Sequence, residues 1–268
     1  MSTDLPSIEG NAFNSSLSIP DFAACLSMGL RPVGMVQGFY YGQLSSGSNY
    51  SATPVRTYPC ACMEVTYHQT GWLGTADTLD QIWMTAHEAA LERMLTEAAG
   101  MGAHGVVGVT TRMSRPNGGA VLQAHLFGTA VIVEGASAPE KPWSTQLAGH
   151  KLAKLIEIGF VPSSVAYARS TAVLVEGCNL EYYGSGRYGT GHVVHPLEDA
   201  HKLARSGALS RVGQLGTHAS LYDVQMQVQE AEGMQTSYIT CTILGSFVRR
   251  VRAAMPTASP IPTVNLAS

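Results

Sequence analysis

Charge is scarce in this chain: Asp, Glu, Lys and Arg together make up 13% of its 268 residues. So few charged groups do little to keep a surface apart from its neighbours, which favours extensive subunit contacts. The charges that are present nearly balance, with a formal net of −3, so no general basic field exists for nucleic acid. The one basic cluster, Arg249, Arg250 and Arg252, is short and reads as a solvated strand end. No apolar run approaches the ~20 residues that span a bilayer. The opening "MSTDLPSIEG" lacks the basic and apolar regions of a secretory signal. Five cysteines, an odd number, make no disulfide framework in a chain of this size. These absences predict a soluble, cytoplasmic protein with neither membrane nor nucleic-acid partners. Enzyme signatures are missing as well. There is no P-loop, nucleophile elbow or His-Glu-x-x-His, and "GSGRYG" (184–189) lacks the strand-then-helix setting of a dinucleotide loop.

Repetition is abundant. Ala86-His87 recurs as Ala200-His201, 114 positions on, and at the same spacing Ala90 meets Ala204, Leu95 meets Leu209, Gly102 meets Gly216 and His104 meets His218. "DFAACLSMGLRP" (21–32) aligns with "KLAKLIEIGFVP" (151–162), 130 positions on. "LQAHLFGTAVIV" (122–133) aligns with "ITCTILGSFVRR" (239–250), which sets Gly128 over Gly245. The three pieces keep their order, and a tandem duplication follows.

Each half reads as a short amphipathic segment stopped by Gly-x-x-Pro, a strand (33–41 and 163–175), a variable stretch, a main helix and two closing strands. The first main helix opens on a Thr78/Gln81 capping box. It carries an apolar stripe of Ile82, Ala86, Ala90, Met94, Leu95 and Ala98, and ends at Gly100 and Gly102. The last strand of the first half alternates, with Leu122, Ala124 and Leu126 on one face and Gln123, His125 and Phe127 on the other. One helix against three strands predicts α+β, two-layer units. The expected organisation is residues 1–135 with an N-terminal helical addition (12–30) and an insertion (42–76), a linker at 136–146, a divergent copy at 147–252, and an extended tail at 253–268.

The first half resembles the YbjQ family, which carries a heavy-metal-binding label. The resemblance rests on "SIEG", "VGMVQG", "AHEAALERMLTEA", "LFGTAVIV" and above all Gly102-Ala103-His104-Gly105-Val106-Val107-Gly108-Val109. It implies β-α-β-β units that assemble as five-fold rings, with helices packed round a propeller-like arrangement of sheets. For this chain it implies a homo-oligomer, a pentamer or a multiple of one, built from tandem units. No ligand set carries over from the family. The second half departs from the pattern, with "ASLYDV" in place of the Val-Val-Gly-Val run.

The most metal-like local pattern is "CACMEVTYH" (60–68). As a strand it would place Cys60, Cys62, Glu64 and His68 on one face, with alternate residues about 6.5–7 Å apart. Two thiolates at that spacing suit a soft or borderline divalent metal. Against this, the CxxC pairs of a zinc ribbon are absent, and free cysteines often serve as small buried hydrophobes. His104 and His218 read first as polar groups closing the helix ends. Several copies meeting round a ring axis would be the alternative. His87 and His201 lie beside the apolar stripe and are expected to face a neighbouring subunit or a sheet edge. His125 joins them as a possible ligand or interface residue. The expectation is a non-catalytic ring or shell that holds a metal or small ligand. The alternatives are a purely structural scaffold for partner proteins and an enzyme with an interfacial histidine site.

Overall fold

The computed structural model describes residues 14–43, 52–58, 71–116, 120–175, 195–216, 219–233 and 236–251. Helix α1 (Ile19–Ser27) starts where the Ser18 hydroxyl caps the Asp21 N–H, and Pro20 suits its first turn. Gly29, at φ 71°, turns the chain out of it into strand β1 (Leu30–Gln43). Two short strands follow, β2 (Thr53–Tyr58) and β3 (Gly71–Thr75), then the long helix α2 (Asp77–Gly100) and strands β4 (Gly105–Ser114) and β5 (Val121–Val133). After a two-residue strand β6 (Trp143–Ser144), the order begins again. Helix α3 (Gly149–Glu157) leads through Gly159, at φ 85°, into β7 (Phe160–Val175). Helix α4 (His195–Leu215) and strands β8 (Ser220–Gly233) and β9 (Thr236–Arg250) complete the chain.

The sheets carry the same signature. One has the order β1-β5-β4-β6 and the other β2-β3-β7-β9-β8, so the cores β1-β5-β4 and β7-β9-β8 match in order and antiparallel sense. Their irregularities match too. The β1–β5 register shifts between Pro32 and Gly34, and the β7–β9 register between Pro162 and Ser164. A second bulge holds Gly108 at φ 66° in β4 and Asp223 at φ 52° in β8. Asp223 is the one non-glycine with positive φ among the described residues.

The stripe of α2 packs as its periodicity predicts, with Ala86, Ala90, Met94 and Ala98 fully buried against the β1–β5 face that carries Val36, Leu122 and Leu126. In α4 the corresponding stripe is Ala200, Ala204, Ala208 and Val212, set on β7 and β9. The expectation of separate two-layer units needs correction, because α2 is covered on its other side as well. Val165, Tyr167 and Val173 of β7 join its core, while the alternate residues Ala166, Ala168, Ala172 and Leu174 face α4. Strand β7 therefore buries both faces, and the layers stack as sheet, helix, sheet, helix. The 42–76 stretch contributes to the second sheet through β3, which pairs with β7. The 12–30 addition supplies α1, which packs on its counterpart α3, where His150 Nδ1 lies 2.6 Å from Asp21 Oδ1.

The start of α2 also differs from expectation. The capping residue is Ala76 and no side chain caps the helix, so the Thr78/Gln81 box does not form. Instead Asp77 and Asp80 place acidic groups in the first turn, where they complement the helix dipole. Gly38 marks the tightest crossing, since a Cβ there would overlap the Ala90 carbonyl oxygen and the Met94 nitrogen. Gly38→Ala is expected to destabilise the chain by about 3 kcal/mol through overpacking against backbone that cannot yield. Urea unfolding would check it.

Candidate functional site

The sequence-predicted histidines do not converge. His104 is buried, but it does not close the helix end as expected. Its N–H donates to the Val131 carbonyl at 2.8 Å, and its Nδ1 accepts from the Val133 N–H at 3.2 Å. It thus ties the start of β4 to the end of β5, and its carbonyl accepts from Trp143 N–H at 3.1 Å. His201 of α4 reaches the edge strand β8, where its Nε2 lies 2.9 Å from Glu230. His125 lies on the open face of the first sheet, stacked on Phe39 at 4.1 Å. Partial burial, then the Arg112 charge, lowers its pKa. His218 and the set Cys60, Cys62, Glu64 and His68 lie outside the described residues. Among the described residues no three His, Cys, Asp or Glu side chains form a group that could hold a metal, so a metal finds no fitting site there. Cys25 and Cys241 are free and buried, and burial pushes the Cys25 thiol up to about 11.

His87 is the exception in character. It is 2% exposed and stacks on Tyr167 of β7, with ring centroids 4.6 Å apart and planes 11° apart. Its Nε2 has no hydrogen-bond partner, nor has the Nε1 of Trp83 one turn earlier. Burial in this seam drops the His87 pKa to about 3, and burial pushes the Tyr167 hydroxyl up to about 12. His87 thus faces the central strand β7 of its own chain, where a neighbouring subunit or a sheet edge was expected.

Sequence reasoning missed the group at the head of this seam. The Asp80 carboxylate is fully buried and accepts from the Thr171 N–H and hydroxyl, both at 2.7 Å, from Arg169 Nε at 3.3 Å and from Arg211 at 2.9 Å. Arg211 also reaches Asp77 at 2.6 Å and donates to the Arg169 carbonyl. The Arg169 guanidinium lies 4.2 Å over the Trp83 ring. One carboxylate on α2 thereby organises β7 and α4. With its lone pairs taken by four donors it is a structural anchor and no candidate for general base. A cleft of about 560 Å³ opens beside it, lined by Leu79, Arg169, Thr171, Glu230, Tyr238 and Thr240. That volume is in the range of small-ligand sites.

Two surfaces stand out by contrast with the seam. On the first sheet, the face away from α2 presents Met35, Phe39, Tyr41, His125 and Phe127, with Arg112 over the Phe127 ring at 5.5 Å. Val165, beneath α2, is 6% exposed, whereas Met35, 130 positions earlier, is 37% exposed. On α4, the side away from the sheets presents Leu209, 47% exposed, where Leu95 of α2 is 6% exposed. The second sheet has a long helix on each face, whereas the first has α2 on one face and, on the other, only the short helices α1 and α3 at its Leu30–Val107–Val131 end.

Residues 70–134 match the YbjQ family, whose description reads "Putative heavy-metal-binding". The match takes in β3, α2, β4 and β5, and with them Gly102–Val109. Neither the curated proteins nor the solved structures include a match to the chain. Among the described residues no helix is long and apolar enough to cross a membrane.

Proposed function

We propose that the chain is two divergent copies of one α-β-α-β-β unit and that it works as a non-catalytic, self-assembling ring or shell protein. One observation carries this reading: α2 is buried on two sides, by its own sheet and by the next, while α4 is buried on one. The packing of α2 on β7 supplies the pattern, a helix of one unit seated on the face of the following sheet. Repeated once more, it places α4 of one copy on the Phe39–His125–Phe127 face of another. The positions of Arg169 and Trp83 are then taken by Phe39 and Leu197, an apolar pair in place of a cation–π pair. The same surface meets a different surface, so the contact is heterologous and closes as a ring or continues as a filament. The YbjQ resemblance favours a five-fold closed form.

The cargo in this reading is a soft or borderline divalent metal, or a small ligand in the cleft beside Asp80. The family description supports the metal, and Cys60, Cys62, Glu64 and His68 are the residues proposed to take it. Native mass spectrometry of protein purified without chelator reads assembly and bound metal together. Closed oligomers are expected, and Phe39→Asp with Phe127→Asp should shift them to monomers by burying charge at the contact. A wild-type protein that stays monomeric at every concentration overturns the reading. Bound metal should disappear when Cys60 and Cys62 become serine. Metal-free oligomers would favour the scaffold.

A further inference from the structure

Residues 143–147 do two things at once. On one side they extend the edge of β4 in parallel: Trp143 N–H donates to the His104 carbonyl, Thr145 N–H to Val106 at 2.9 Å, and Val109 N–H to the Thr145 carbonyl at 2.9 Å. On the other side they fasten to the second sheet. The Thr145 hydroxyl donates to Ser246 Oγ at 3.0 Å, Gln146 N–H donates to the same oxygen at 2.9 Å, and Leu147 N–H closes on Thr145 Oγ1 at 3.1 Å. The segment before α1 repeats the second task atom for atom, 130 positions earlier. The Ser15 hydroxyl meets Thr129 Oγ1 at 3.1 Å, Ser16 N–H donates to it at 3.1 Å, and Leu17 N–H closes on Ser15 Oγ at 3.1 Å. Among the described residues the first task has no counterpart. The edge of β4 already carries residues 143–147, and among the described residues no strand edge is paired with residues 14–18.

The matching edge exists on β8. Ser220 faces Val248 as Gly105 faces Val131, and Tyr222 faces Ser246 as Val107 faces Thr129. Both strands then bulge with positive φ, at Asp223 and at Gly108. Yet β8 is the last strand of its sheet. Its Val224, Met226 and Val228 are exposed, it has no lysine or proline, and between Val224 and Gln229 it carries no charge to guard the open edge.

We infer that the outer edge of β8 accepts residues 14–17 of a second copy as an added parallel strand. Ser15 N–H would donate to the Leu221 carbonyl and Val224 N–H to the Ser15 carbonyl, as Thr145 does on β4. This inference rests on the assembly proposed above, and it adds a second bond between the same two copies, so that each unit is held by a helix and by a strand.

The test pairs Asn14→Cys with Leu221→Cys, because Ser144 lies opposite Val106 in the β4–β6 register. Neighbouring strands bring such residues within disulfide reach. The two single variants are purified apart, mixed, exposed to a mild oxidant and run without reductant. A disulfide-linked dimer present in the mixture and absent from either variant alone, and from wild type, is the expected result. If the dimer does not form while native mass spectrometry still shows oligomers, strand addition is wrong and the assembly stands. A wild-type protein that is monomeric throughout removes the assembly itself. The chain's own tail is the rival occupant, since Pro260 and Thr263 keep the spacing of Pro142 and Thr145. Hydrogen-exchange protection of Leu221–Val224 that survives dilution but vanishes on deletion of residues 253–268 would overturn the inference in favour of the tail.

Discussion

Asp80→Ala is expected to lower the unfolding free energy by about 3–5 kcal/mol, the range found when one partner of a buried ion pair is removed. The carboxylate has no exposed surface, and four donors from two other elements converge on it. Deleting it leaves the Thr171 N–H without its acceptor inside the structure. It also leaves two guanidiniums facing each other across the space it filled, with Asp77 as the remaining carboxylate in reach of Arg211. Arg169→Met should cost less. Arg211 still neutralises Asp80 in that variant, and a thioether side chain replaces the guanidinium over Trp83. Urea unfolding of both variants separates the cases. A loss below about 1 kcal/mol for Asp80→Ala would put the cluster among ordinary surface ion pairs, and α2 would then hold the second sheet by apolar contact alone.

That anchor was not legible beforehand, for a physical reason. Asp80 lies in the first turn of α2, just before the apolar stripe, in a place where solvated acidic residues are common because they favour a helix start. Nothing local reveals that its partners, Arg169 and Thr171, stand on a strand some ninety positions away. By contrast, the stripe Ala86–Ala90–Met94–Ala98 and the alternation along β5 were legible, because burial against a single neighbour stamps one period on the residues. Strand β7 resists such reading: "VAYARSTAVLV" is buried on both faces and has no polar side to alternate with. The two-sided burial of α2 follows from the same fact. His87 and Trp83 look like breaks in the helix pattern until Tyr167 and Arg169 are seen against them. His104 misled in the opposite direction. Its Gly-x-His setting suggests helix capping, but the fold spends its ring on a strand end, where Val133 N–H would otherwise lack a partner.

His87 should make the fold acid-sensitive in a way a single substitution removes. Its folded pKa lies near 3, while an unfolded chain titrates near 6.5. Above about pH 6.5 both states hold the ring neutral and its titration costs nothing. As pH falls below that value the unfolded chain takes up a proton that the buried ring refuses. Stability is therefore lost at about 1.4 kcal/mol per pH unit, about 2 kcal/mol by pH 5, until the folded ring protonates near pH 3. His87→Phe keeps an aromatic face for Tyr167 and removes the unpartnered Nε2. It should leave stability at pH 7 equal or higher and remove this loss between pH 6.5 and 5. Unfolding midpoints of wild type and variant at pH 7, 6 and 5 decide the matter. Parallel decline in the two would mean that protons reach the seam without unfolding it, so that α2 parts from β7 while both sheets stay folded. The loss that His87→Phe removes thus measures what the covering strand β7 does to α2.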